Sequence, residues 1–162
     1  MEFKVGQDIV YPKYGLGKIL EIKSRKLPTG RRIRGVLIRF PAMHMTVWVP
    51  EERLKKTKVR KPISRYMARK ILGVLKQRAR FKMGTKAKER AQYYKNKVLS
   101  GDPVDLAEAV RDLTRLSLKK SLNVREAEIA NTALRTLVRE LALATGKNVE
   151  DVREEVDTIL YR

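Results

Sequence analysis

The chain has 162 residues, no cysteine, one histidine and a formal net charge of +20. That length holds one large domain or two small ones, and a 43% hydrophobic content supports a core, so disorder throughout is excluded. Without cysteine, disulfides, thiolate metal sites and cysteine nucleophiles are excluded as well.

The charge is lopsided along the chain. Residues 1–100 carry 28 Lys and Arg against 6 Asp and Glu, while residues 101–162 carry 10 against 12. The stretch from Arg53 to Lys97 has 18 bases and one acid, Glu89. A like-charged region of that size repels itself unless a polyanion neutralises it. The split predicts two modules with different surfaces.

In chain order, Asp8–Pro12 is β-rich and ends at a proline, and Tyr14-Gly15-Leu16-Gly17 reads as a turn. Lys18 to Leu27 alternates, with Ile19, Glu21, Lys23 and Arg25 on one parity and Leu20, Ile22 and Ser24 on the other. Pro28-Thr29-Gly30 turns the chain into a second long strand, Ile33 to Phe40. Pro41-Ala42-Met43-His44 is a further turn, and Met45–Val49 is a strand closed by Pro50. Strands at this spacing predict a small antiparallel barrel over residues 1–60.

Helical spacing starts after Pro62-Ile63-Ser64, with Met67, Ile71, Leu72, Val74 and Leu75 on one stripe. Periodicity vanishes from Arg78 to Thr85, where Gly84 marks a loop, and a helix resumes over Lys86–Leu99. Asp102-Pro103 caps and starts the next one. Asn123 and Glu126 have capping-box spacing, Thr145-Gly146 is a stop, and Asn148 caps a last helix with Glu150 and Asp151 in its first turn. The fold class is therefore mixed α+β: a β-barrel, then an all-α domain of about five helices over residues 61–162.

No nucleophile triad, phosphate-binding glycine loop or dinucleotide fingerprint occurs, and His44 sits alone in a turn. The expectation is a non-enzymatic protein without metal, cofactor or small-molecule substrate. No apolar run opens the chain as a signal peptide would, and none approaches the roughly 18 residues of a membrane span. A cytoplasmic location without membrane contact is expected.

The basic stretch points to phosphate, because Lys and Arg release the counterions condensed on nucleic acid. A merely solvated helix face would intersperse acids for i,i+4 support. The DNA-binding candidates are Arg65, Arg69, Arg78, Arg80 and Lys82, followed by Lys86, Lys88, Arg90, Lys95 and Lys97. Successive helical positions point about 100° apart, so one of Tyr93 and Tyr94 packs inward and the other is exposed, where it could stack on a base. Tyr11, Tyr14, Phe40 and Trp48 belong to the barrel, either as packing or as a cage for a methylated lysine. Trp48 faces opposite to Val47 and Val49, so inward valines leave an exposed Trp suited to a protein partner, and a free strand edge could extend a partner's sheet.

These residues resemble the CarD/CdnL family of bacterial transcription regulators. The resemblance begins at Phe3-Lys4-Val5-Gly6-Gln7-Asp8-Ile9-Val10-Tyr11-Pro12 and Tyr14-Gly15-Leu16-Gly17. It resumes at Val47-Trp48-Val49-Pro50 and Val59-Arg60. It continues through Leu99-Ser100-Gly101-Asp102 and Ala107-Glu108-Ala109-Val110-Arg111-Asp112-Leu113. It implies a Tudor-like barrel that binds the RNA polymerase β subunit and a helical domain that holds promoter DNA at the upstream edge of the melted bubble. It implies a nucleoid-associated protein that favours the open complex by binding alone. Arg25 matches the family's polymerase-contacting base, with Lys26 beside it, and Val47 and Trp48 complete the implied tether. Members also place a wedge Trp before the second helix of that domain; here the slot falls near Lys86 and Ala87, so extra basic residues would have to compensate. Two other readings remain open: an architectural DNA- or RNA-binding protein without polymerase contact, and a module whose basic face meets an acidic protein.

Overall fold

The computed structural model of the protein describes residues 2–80 and 86–162. Four strands, β1 (Asp8–Tyr11), β2 (Gly15–Lys26), β3 (Arg32–Phe40) and β4 (Met45–Pro50), pair antiparallel in the order β1-β2-β3-β4. The first turn lies earlier than the glycines imply. Tyr14 N–H donates to Tyr11 O at 2.9 Å, so Pro12 and Lys13 make the turn and Gly15–Gly17 belong to β2. Gly17 is needed for space: a Cβ there would stand 2.8 Å from Phe40 Cε1. The Phe40 ring instead packs with Tyr11 and Tyr14 at centroid distances of 6.0 and 5.2 Å.

The register of β2 against β3 shifts between Ile19 and Glu21. This bulge inserts Leu20 as an extra, exposed residue. Ile19 and Ile22 therefore both turn to the core side, whereas strict alternation placed them on opposite faces.

After β4 comes α1 (Glu51–Lys56), which packs against β3 and β4 and buries Leu54. The chain then returns to the far edge of the sheet. Val10 N–H donates to Arg60 O at 2.8 Å and Arg60 N–H to Val10 O at 3.1 Å, which curls the sheet into a half-barrel. His44, exposed, ends the 3-10 turn Pro41–Met43 in the left-handed conformation with φ 49°.

This first unit ends at Pro62, and a second runs from Ile63 to Arg162. The second holds α2 (Arg65–Lys76), α3 (Ala87–Leu99), α4 (Pro103–Ser117), α5 (Val124–Thr145) and α6 (Val149–Leu160). Its core gathers Ile71, Leu75, Val110, Leu137, Val156 and Leu160. A smaller cluster of Tyr94, Ala109 and Leu113 seats α3.

Each helix of this second unit begins where a short polar side chain can take a free N–H, α3 excepted. Ser64 accepts from Met67, Asp102 from Val104 and Asn148 from Glu150. Asn123 and Glu126 form a full capping box, and Gly146 with φ 68° ends α5. Among the described residues no helix is long and apolar enough to cross a membrane, and no group of His, Asp and Glu could hold a metal ion.

Candidate functional site

In the helical unit the apolar stripe of α2 is turned inward through Ala68, Ile71, Val74 and Leu75. That rotation leaves Arg65 and Arg69 exposed on its outer face. Arg78 and Arg80, on the segment leaving α2, are exposed too, as are Lys86, Lys88 and Lys95 at and along α3. None of these seven is ion-paired among the described residues. Their charges face solvent without a counter-charge, which is what a phosphate-binding surface requires. Lys82 lies outside the described residues. Tyr66 (74% exposed) and Tyr93 (54%) stand on the same two helices, while Tyr94 is buried. Lys86 is the N-cap of α3 and Ala87 its first residue, so the helix opens without an aromatic.

Two of the expected DNA contacts are committed elsewhere. Arg90 is buried, and its Nε and Nη2 reach Glu126 Oε2 and Oε1 at 3.0 and 3.3 Å. Glu126 also accepts from Asn123 N–H at 3.3 Å, so one carboxylate caps α5 and ties α3 to it. Lys97 Nζ sits 3.7 Å from Asp105 and 3.5 Å from Glu108 on α4, with its side chain mostly covered. Both cations are paired with acids of the C-terminal segment.

A polar network, not anticipated from sequence, stands behind the exposed cations. Asp112, buried on α4, accepts from Arg111 Nε at 2.8 Å, Tyr94 Oη at 2.9 Å and Arg80 N–H at 3.2 Å. Burial, reinforced by the Asp112 carboxylate, pushes the Tyr94 phenol well above its ordinary value, so it stays a donor. Arg111, fully buried, donates from Nη1 to Val74 O and to Gln77 Oε1, both at 3.3 Å. Arg115 donates to Leu75 O at 2.9 Å and to Gln77 O. The only sequence signal was the pair Arg111-Asp112 inside the apolar stripe Ala109, Val110, Leu113 and Leu116.

On the barrel, Trp48 leaves β4 and lies flat across β3. It can do so because Gly35 has no side chain; a methyl group there would collide with the indole. The ring thereby reaches β2, where its Nε1 donates to Lys23 O at 3.2 Å and the Arg25 guanidinium sits 4.8 Å above its centroid. Arg25 and Lys26 are exposed and Trp48 is half-buried. Val47 points the other way and packs against the barrel core. Its side chain is thus half-buried, on the face opposite to Trp48. β4 is the last strand of the sheet, so the main chain at Val47 lies on an edge strand. The aromatic cage is not formed: Tyr11, Tyr14 and Phe40 pack with one another, and Trp48 lies on the opposite face.

Comparison with known proteins decides the family. Residues 70–157 match the CarD C-terminal domain and residues 3–67 the CarD-like/TRCF RID domain. The chain belongs to the CarD-like family of transcription regulators. Among curated proteins it is similar to a putative transcription factor of Bacillus subtilis, YdeB, at 27% identity over 151 residues, covering 93% of this chain and 97% of that one. The two matched regions of this CarD-like chain meet near the point where its structure divides, at Pro62 and Ile63.

Proposed function

We propose that this CarD-like protein regulates transcription as a two-handed tether. The half-barrel grips the β subunit of RNA polymerase, and the helical unit holds promoter DNA by its backbone near the upstream edge of the bubble. No bond is made or broken; the protein acts by preferring one state of the complex. The observation that carries the reading is the set of exposed cations Arg65, Arg69, Arg78, Arg80, Lys86, Lys88 and Lys95 on one unit, none of them ion-paired among the described residues. On the other unit, the Arg25–Trp48 pair beside the open β4 edge supports a protein contact. The contact set differs from the sequence-based one: Arg90 and Lys97 drop out, and Val47 would contribute through its backbone.

Phosphate contacts position a protein without reading bases, so binding should be salt-dependent and tolerant of sequence. Neutralising Arg80, Lys86 and Lys88 together is expected to lower the slope of log affinity against log salt by up to about three phosphates' worth. An unaltered slope would remove the DNA surface. Arg25→Glu should abolish capture of the β subunit and leave DNA affinity intact. Unchanged capture would remove the tether. Wild-type DNA binding with no β-subunit capture would favour the architectural reading instead.

A further inference from the structure

The basic segment that follows α2 is held by a helix that carries none of the exposed phosphate candidates. A helix C-terminus leaves its last carbonyls without intrahelical partners. At the end of α2 Leu75 O receives Arg115, Val74 O receives Arg111 beside the capping N–H of Gln77, and Gln77 O receives Arg115 as well. Three residues further on, Arg80 N–H donates to Asp112 at 3.2 Å. Arg111, Asp112 and Arg115 lie within about one turn of α4, so a single rigid patch fixes the main chain at four points from Val74 to Arg80. Arg78 and Arg80, the first exposed cations after α2, are the side chains this arrangement carries.

We infer that Arg111, Asp112 and Arg115 are positioning residues for DNA contact, setting where Arg78 and Arg80 stand although none of the three faces the nucleic acid. The inference rests on the DNA-contact reading above. A carboxylate serving only the core would end on core side chains. Asp112 takes one such partner, Tyr94 Oη, but it and Arg111 also reach backbone groups of the segment that carries the cations, Arg80 N–H and Val74 O, and the two neutralise each other, so the pair adds no net charge to the interior. Holding those groups in advance spares the ordering cost that a loose basic segment would meet on binding.

The test is the salt dependence of binding to a short DNA duplex, measured on the full chain. A variant that is merely less stable contains less folded protein but keeps the same slope. Asp112→Ala is expected to lower the slope by up to about two phosphates, the same as Arg78→Gln combined with Arg80→Gln. Adding Asp112→Ala to that double variant should lower it no further. Asp112→Asn should restore the wild-type slope, because its carbonyl oxygen can accept from both Arg111 Nε and Arg80 N–H. A full slope in folded Asp112→Ala, or an additive loss in the triple variant, overturns the inference. Should Asp112→Ala not fold, Arg115→Met at its half-buried site removes the donors to Leu75 and Gln77. It should lower the slope in the same direction, and an unchanged slope overturns the inference equally. A wild-type chain with no salt-dependent binding sinks the DNA reading itself and this inference with it, whereas normal wild-type behaviour with insensitive variants sinks the positioning role alone.

Discussion

Among the described residues, every buried charged residue lies in the helical unit: Arg90, Arg111, Asp112, Glu126 and Glu140. The core of the half-barrel, including Ile9, Ile19, Ile38, Phe40 and Leu54, is apolar. The contrast follows from how each architecture satisfies its backbone. A sheet pairs its N–H and C=O groups strand to strand, so its interior needs only shape. Five short helices leave unpaired groups at every end, and here side chains are brought in to meet them. Glu140, for example, accepts from Ile63 N–H at 3.2 Å just before α2 begins. The apolar unit is therefore tuned by volume, and the helical unit by pairing.

That contrast can be broken or sharpened by experiment. The largest effect is expected from Glu126→Ala, which leaves Arg90 buried without its carboxylate and opens the α5 capping box. It should cost about 3–5 kcal/mol in denaturant unfolding. Replacing the pair together, Arg90→Met with Glu126→Leu, should cost far less, because no charge is then stranded. A single variant as stable as wild type would erase the distinction between the units.

In the barrel the corresponding lesion is steric. Gly35→Ala should displace Trp48 from its shelf and cost about 1–3 kcal/mol. It should also red-shift the fluorescence of this chain's one Trp. Unchanged emission would show that the indole does not rest on Gly35. Asp102→Ala removes a cap from α4 and is expected to cost about 1 kcal/mol, read as a shift in the unfolding midpoint. The smallest effect belongs to the surface: Glu155→Gln removes the charge from the exposed contact to Lys147 at 3.3 Å and should change stability by less than about 0.5 kcal/mol. A larger loss there would mean that pairing matters beyond the buried network.

Much of the helical unit was legible because its signals are local. Pro103 after Asp102, the Asn123–Glu126 spacing and Gly146 each act within one turn, and all appear as read. The β-strands were legible too, and so was the outward face of Trp48 opposite Val47 and Val49, but the faces of β2 were not. The bulge at Leu20 is set by pairing with β3, so alternation alone misassigned Ile22. The first hairpin turn was misplaced because Gly15 and Gly17 resemble turn residues, although Gly17 is small to admit Phe40 from β3. The short α1 went unread, since Glu-Glu-Arg-Leu-Lys-Lys holds one apolar residue and shows no period.

The candidate site divides in the same way. A count of charges finds the basic surface, because net charge is a property of composition that folding does not change. It cannot say which cations remain bare. Arg90 meets Glu126 across 36 positions and is buried, and Lys97, partly covered, meets two acids on the next helix. Asp112 reads in sequence as one acid on an apolar stripe, yet it gathers Arg111, Tyr94 and the main chain of Arg80.

By itself, then, the order of residues determined the division into a β part and a helical part, most of their elements, most helix boundaries and the cationic character of the first hundred positions. These depend on neighbours within a turn or on simple sums. The tertiary structure alone decided which charges are spent inside, that Trp48 crosses a bare glycine to lie beneath Arg25, and that α4 holds the chain leaving α2. Those outcomes depend on groups far apart in sequence, whose meeting is dictated by packing.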